Sequence, residues 1–502
     1  MVMVNAEEEC YSKVKKLIED DKPSIKNVLT NKSYMLVFGG QILNMIASIL
    51  IGMTISYLIY ATTQNASLMA LMGILGALPT VLLVTFAGVI VDRFDQRKLI
   101  FITTLLRTIL FVGYLVLYLF MDRLIRTYVY YVPLHEGVIQ RITEINYIHF
   151  IWPMYTILFI NNIVFTLYNL TVSTYSKYII EKKNLLVANS FNSTVNQIAN
   201  VIGPILAGMI ITVSYLLSFT IGTGIASLGS IVCLLLISKG KQPPIIEKEK
   251  TTFKNDVKRI KDDLKIGFNT IRSIPKVLYV TIVYTFFNFG NAFINGTFVV
   301  VLQGEMKMTA TWYGSVVAVM SVVGVITSLI IMKLGKINRK LILINLVIFA
   351  KAIGLALFSF VRNPWIMLFV ITIPFGFVNG GANIPSFTLR QEKIPHEKLG
   401  RATSFSFMFT SLANVIGLVI LTFIANKLSP MIILLISTGI CLVLVITSFI
   451  FFLTKRSLRC SDYSNEIDDT IKQIDQEMIE NKRINPIKDK KKELILTVPT
   501  SE

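Results

Sequence analysis

Residues 199–203 read Ala-Asn-Val-Ile-Gly, and residues 413–417 read the same five letters. Around them, Ala188-x-Ser190-Phe191 matches Ala402-x-Ser404-Phe405 at the same distance. A second pair, Arg97-Lys98-Leu99-Ile100 and Arg339-Lys340-Leu341-Ile342, repeats with an offset of 242 residues, against 214 for the first. The difference of 28 is about the length of residues 122–147, so the two halves align once that segment is set aside. The repeated unit is therefore half the chain.

Each unit is made of apolar stretches. The chain has 502 residues, of which 53% are hydrophobic and only 16% charged. A soluble domain carries about 25% charged residues, so a soluble enzyme, a disordered chain and a disulfide-stapled secreted domain are excluded. A membrane-crossing helix needs about 20 mostly apolar residues. Twelve stretches qualify: 34–59, 67–91, 99–121, 148–172, 189–213, 216–238, 277–301, 312–333, 341–360, 365–389, 402–426 and 430–453. The predicted fold is all-α, with twelve transmembrane helices in two six-helix pseudo-repeats. The predicted organisation is an N-tail (1–33), a first half (34–238) carrying the external loop 122–147, a connector (239–276), a second half (277–453) and a C-tail (454–502). The polar, lysine-rich N-tail does not read as a cleaved signal peptide.

The net charge of +19 invites a nucleic-acid reading, but its distribution argues against one. Of 49 Lys and Arg residues, 41 fall in the tails and in alternate loops, and six in the remaining loops. Positive charge is retained on the cytoplasmic side, which predicts both termini there and a multi-pass protein of the plasma membrane. The connector places Phe253, Val257, Ile260, Leu264, Phe268 and Ile271 at helical spacing among lysines, an amphipathic helix at the cytoplasmic surface. Four cysteines form no CxxC pair and there are three histidines, so neither a metal site nor a cofactor is expected.

Between spans 2 and 3 lies Gly88-Val-Ile-Val-Asp92-Arg93-Phe-Asp95-Gln-Arg97-Lys98. It resembles the G-x-x-x-D-R-x-x-x-R-K loop of the major facilitator superfamily. Span 5 carries Ala199-x-x-x-Gly203-Pro204-x-x-Ala207-Gly208, which is similar to the antiporter motif of drug exporters in that superfamily, with alanine at two glycine positions. Segment 186–208 and the loop 395–401 resemble its macrolide-efflux and enterobactin-exporter branch. The resemblance implies a conformational latch at Gly88, Asp92, Arg93, Arg97 and Lys98, and a helix pivot at Gly203, Pro204 and Gly208. Physically, small residues spaced by four let helices approach closely, and a proline inside a helix removes a backbone hydrogen bond.

The resemblance also implies that spans 1, 4, 7 and 10 line the pathway. They carry Gln41 and Asn44, Asn161 and Asn162, Asn288, Asn291 and Asn295, and Asn379 and Asn383. The span 7 trio falls on one helical face, and unpaired amides do not face lipid cheaply. Two cations lie deep in spans, Arg107 in span 3 and Lys351 in span 9. Because the resemblance makes those spans peripheral, their expected role is structural, with contact to an anionic substrate as the alternative. No Asp or Glu lies well inside a span, which leaves Asp92 or His149 as carriers for a coupled proton.

No nucleophile–base pair, metal cluster or phosphate loop marks an enzyme. What the resemblance implies is a monomeric, proton-coupled secondary transporter exporting a small amphipathic molecule, drug-like or siderophore-like. A lipid or lysolipid flippase of the same fold, or a non-transporting membrane sensor, are the other readings.

Overall fold

A computed structural model of the chain describes residues 25–133, 139–180, 184–240, 253–334, 340–361 and 363–454. Twelve long helices follow the twelve apolar stretches. In chain order they are α1 (Lys32–Thr63), α2 (Ala66–Arg93), α3 (Gln96–Leu119), α4 (Ile148–Ile179), α5 (Leu185–Val213) and α6 (Tyr215–Lys239) in the first half. The second half holds α7 (Pro275–Val299), α8 (Ala310–Leu334), α9 (Lys340–Phe360), α10 (Pro364–Gly381), α11 (His396–Ile424) and α12 (Pro430–Thr454). Among the described residues, eleven are long and apolar enough to cross a membrane. The twelfth, α10, is continued past Ala382 by a separate helix, Asn383–Lys393, which the sequence reading had divided between span 10 and the following loop.

Local chemistry sets many of the helix starts. Asn31, Asn65, Asp95 and Asn363 each accept a backbone N–H of the helix that follows, the preferred N-cap arrangement. Segment 122–147 is neither helical nor irregular throughout: strands β1 (Arg126–Pro133) and β2 (Ile139–Asn146) pair antiparallel, Arg126 opposite Asn146.

Within each half the packing repeats. Helix α1 runs along α6, α3 along α6 and α4, and α2 along α4; in the second half α7 runs along α12, and α9 along α12 and α10. The sequence repeat has a direct packing meaning. A Cβ on Gly203 would fall 2.8 Å from Ile49 of α1, and one on Gly417 would fall 2.6 Å from Ala292 and 2.7 Å from the Phe289 carbonyl of α7. The two Ala-Asn-Val-Ile-Gly copies thus seat α5 on α1 and α11 on α7, the same joint built twice.

The connector helix, Phe253–Ser273, docks on the start of α11. Gly267 abuts the Arg401 backbone, Phe268 meets the Phe405 ring at 5.5 Å, and Asp263 pairs with Arg401 at 2.7 Å. Part of its apolar face, at Phe268 and the buried Ile271, is thus used against protein, where sequence periodicity alone suggested the membrane surface.

The halves meet through α5 with α8 and α2 with α11. These contacts concentrate at the end of the molecule opposite the termini. There Asn426 donates to the Asn65 side chain at 2.9 Å and accepts from Ser67 N–H at 3.2 Å. Thr212 and Thr311 share a hydroxyl hydrogen bond of 2.9 Å, and the Tyr57 and Tyr313 rings lie 5.4 Å apart, edge to face. Glycines make the crossing of α5 and α8 close: Gly208 lies on the Ala310–Thr311 backbone and Gly314 on the Pro204 carbonyl.

Candidate functional site

A partly open cavity of about 770 Å³ lies in the second half, its lining extending to Phe387, Thr388 and Arg390, toward the end where α1 begins and α12 ends. Its deep wall is α7, which contributes Asn288, Asn291 and Asn295 at the predicted spacing. Asn383 closes the amide set, accepting from the Tyr284 hydroxyl at 3.1 Å. Phe287, Phe375, Phe387 and Phe407 supply apolar surface. A second cavity of about 300 Å³ continues from the same three asparagines to Ala77, Thr80 and Val81 of α2.

Lys351 stands in the wall of the larger cavity and is 4% exposed. Its ammonium donates to the Asn291 side-chain oxygen at 2.6 Å and sits 4.4 Å from the ring centres of both Phe287 and Phe375. Cation–π contact of this kind offsets part of the cost of removing a charge from water. A reading of span 9 as peripheral placed this lysine away from the pathway; its four-carbon stem instead reaches between α7 and α10 to the cavity. Arg390 of the Asn383–Lys393 helix also lines it, with its guanidinium 6.0 Å from the Tyr284 ring centre. Arg390 went unnoticed in the sequence because it counted as one more basic loop residue. The helical spacing of Asn383, Phe387 and Arg390 was the available signal.

The first half holds the counterpart. Arg107, 1% exposed, donates from Nε to Asn161 at 3.2 Å and from a terminal nitrogen to Ser48 at 2.5 Å. Its carbon centre lies 4.7 Å from the Phe165 ring centre and near Phe111 and Tyr168. The repeat offsets relate the two sites. An offset of 242 carries Ser48 to the neighbour of Asn291, and 214 carries Asn161 to Phe375. Each half thus inserts a cation from its third helix between its first and fourth. Arg107 is not among the residues that line either cavity described above.

The remaining candidates divide. Gln41, Asn44, Asn161 and Asn162 do not line those cavities. Asn44 is buried where α1 meets α6 and donates back to Gly40, and Asn162 donates to Leu158 within its own helix. The side chains of Asn379, Asp92 and Arg93, and the surroundings of Gly88, lie outside the described residues. Arg97 binds the end of α6, donating to the Gly240 carbonyl at 3.0 Å, and pairs with Asp95 at 3.1 Å. Burial pushes the Asp95 carboxyl up, but the hydrogen bonds and charge of Arg97 outweigh it and hold the carboxyl below its ordinary value. Lys98 is exposed. Among the described residues no cluster of His, Cys, Asp or Glu is placed to hold a metal.

Twelve spans in two like halves, sealed at one end and enclosing an amide-lined cavity open at the other, define a membrane transporter. The sequence model of the Major Facilitator Superfamily matches residues 37–418, and again residues 280–461. The chain belongs to the Major Facilitator Superfamily. It is 20% identical over 401 residues to Macrolide efflux protein A of Streptococcus pyogenes, covering 79% of this chain and 90% of that protein. Similar solved structures include a bacterial homologue of the iron transporter ferroportin in an inward-facing state (TM-score 0.63, 14% identity, 85% of this chain and 98% of that one). Another is a D-xylose–proton symporter (TM-score 0.59, 15% identity, 84% and 97%). Members of this family are transporters rather than enzymes, and this chain is a multi-pass membrane transporter of a small-molecule substrate.

Proposed function

We propose that the protein exports a small amphipathic molecule by alternating access. The observation that carries this reading is the pairing of a cavity open at one end with contacts between halves at the other. With the termini cytoplasmic, as the lysine and arginine distribution predicts, the open end faces the cytoplasm, the side from which an exporter loads. The relative named for macrolide efflux supports the outward direction. Reorientation breaks the α5–α8 and α2–α11 contacts at the far end and brings the halves together at the terminal end. There the Asp92–Arg97 loop serves as the latch, while the segment around Gly203 and Pro204, within α5, serves as the pivot.

Proton coupling is the finer part of the proposal. Among the described residues, those lining the cavity include Lys351 and Arg390 and no Asp or Glu. A coupled proton is then carried outside it, at Asp92 or at His149, which is exposed in the first turn of α4. The same acid-free lining favours a second reading, a lipid flippase that needs no proton carrier.

Inside-out vesicles with an imposed proton gradient test both. Gradient-dependent uptake of ethidium, a macrolide or a catecholate siderophore, lost in Asp92→Asn, establishes the proton-driven exporter. Movement of a fluorescent lysolipid alone, indifferent to the gradient, assigns the flippase. No movement of any compound overturns the transport mechanism proposed here.

A further inference from the structure

Among the described residues, the charges that line the cavity are of one sign. Resting on the reading of this cavity as the substrate site, we propose that it selects an amphipathic organic anion. The carboxylate or phosphate lies against Lys351 and Arg390, and the apolar body lies along Phe287, Phe375 and Phe407.

Three observations support this. First, both cations have donors to spare. An ammonium carries three N–H donors, and Asn291 is the hydrogen-bond partner of Lys351 among the described residues. The Nε of Arg390 is buried and has no hydrogen-bond partner in the wall. A buried charged donor left unpaired is costly, and an incoming anion removes that cost. Second, the two cations line the same cavity over adjacent rings. Arg390 lies over Tyr284 and Lys351 over Phe287, rings whose centres are 6.0 Å apart. Third, the first half shows a cation used structurally. Arg107 also has one buried terminal nitrogen without a partner, but it has two side-chain acceptors on two helices, three aromatic rings around it and no place in either cavity wall, whereas its counterpart Lys351 has one acceptor and borders open space. A retained charge deep in a membrane protein marks a substrate path, and here two of the same sign converge on it. The amide row of Asn288, Asn291 and Asn295 supplies N–H donors that suit the same head group.

The experiment measures binding to the purified full chain in a neutral detergent. The probes are matched pairs differing in charge: N-dansyl-leucine with its carboxamide, and lysophosphatidylglycerol with lysophosphatidylcholine. The expected result is that at least one anion binds about tenfold or more tightly than its uncharged or zwitterionic match, the scale of one charge-assisted contact. Lys351→Met and Arg390→Gln each remove most of that preference, while Lys351→Arg keeps it. A preference confined to dansyl-leucine assigns a soluble anion, and one confined to the lysolipid pair assigns a head group. Equal binding within both pairs, binding of neither anion, or a preference surviving Lys351→Met with Arg390→Gln overturns the inference. If Lys351→Met does not fold, Arg390→Gln and Lys351→Arg decide. Because binding is read without a gradient, failure here leaves the vesicle result on transport standing, and failure of transport leaves this one standing.

Discussion

The ammonium of Lys351 and the side-chain oxygen of Asn291 lie 2.6 Å apart, joining α9 to α7 in the wall of the cavity. This contact makes a residue of the outer layer part of the cavity wall, and it gives Asn291 two tasks. It holds a buried cation in place, and it presents its amide N–H₂ to the cavity.

Replacing Asn291 separates those tasks. Asn291→Leu leaves the ammonium with aromatic faces alone and removes one hydrogen bond to a charged group, about 1.5–3 kcal/mol. The expected outcome is a lower melting temperature of the purified protein. Asn291→Asp supplies a stronger partner and is expected to restore the melting temperature while abolishing anion binding, because one of the two positive charges is then neutralised. Equal melting of wild type and Asn291→Leu would show that the contact bears no load.

The far-end seal depends on the absence of side chains. A Cβ on Gly208 would lie 2.9 Å from the Thr311 Cα, and one on Gly314 would press on the Pro204 carbonyl. Gly208→Val and Gly314→Val are each expected to hold the α5–α8 crossing apart. Labelling of a Thr212→Cys reporter by an impermeant maleimide added on the far side should rise several-fold, and transport should fall. Unchanged labelling would remove this crossing from the gate.

Arg107 is expected to tolerate no shorter or rounder cation. Its planar fork serves Asn161 and Ser48 from different nitrogens, which a lysine does not reproduce. Arg107→Lys leaves at least one buried acceptor unsatisfied, a cost of roughly 1–3 kcal/mol, measured as a lower melting temperature with ligand affinity per folded molecule unchanged. A selective loss of affinity in that variant would assign Arg107 to the substrate site.

The Asp95–Arg97 pair predicts a pH effect with a definite sign. The Asp95 carboxyl is held below its ordinary value of 3.8, so the folded state favours the ionised form. The stabilisation is fully present above that value and is lost as pH falls through the lowered one. In melting curves taken downward from neutral pH, wild type and Asp95→Ala should differ by a constant amount until about pH 4 and converge below it. A difference that grows as pH falls would reverse the assignment.

Much of this architecture is written in residue type. Spans of twenty apolar residues have few alternatives in a bilayer, and the repeat of Ala-Asn-Val-Ile-Gly is legible because two glycines do the same packing work against α1 and α7. The α7 asparagines were legible because three polar side chains on one face of a buried helix need a common polar surface. Asn44 looks the same in sequence and, like Asn288, donates to the carbonyl four residues back, yet it is buried where α1 meets α6 and lines neither cavity. Nothing in its neighbours along the chain distinguishes an amide packed between helices from one facing a cavity. Lys351 and Arg390 were missed as a pair because they come from separate elements. One belongs to an outer helix that reaches inward, the other to a short helix that hydropathy divides between a span and a loop. Long flexible side chains uncouple where a Cα lies from where its charge acts.

Among the described residues, the larger cavity takes its walls from residues 284–411, and the first half adds Ala77, Thr80 and Val81 to the smaller one. With this cavity as the proposed substrate site, a bound molecule keeps the same polar partners whichever mouth is open, while the first half acts as a shutter. Dissociation constants measured from the two sides of the membrane are then expected to be close to equal, the protein by itself being a reversible carrier. Net flow is decided by concentrations and by any coupled ion. The site determines which molecule is carried, and the gradient determines where it goes.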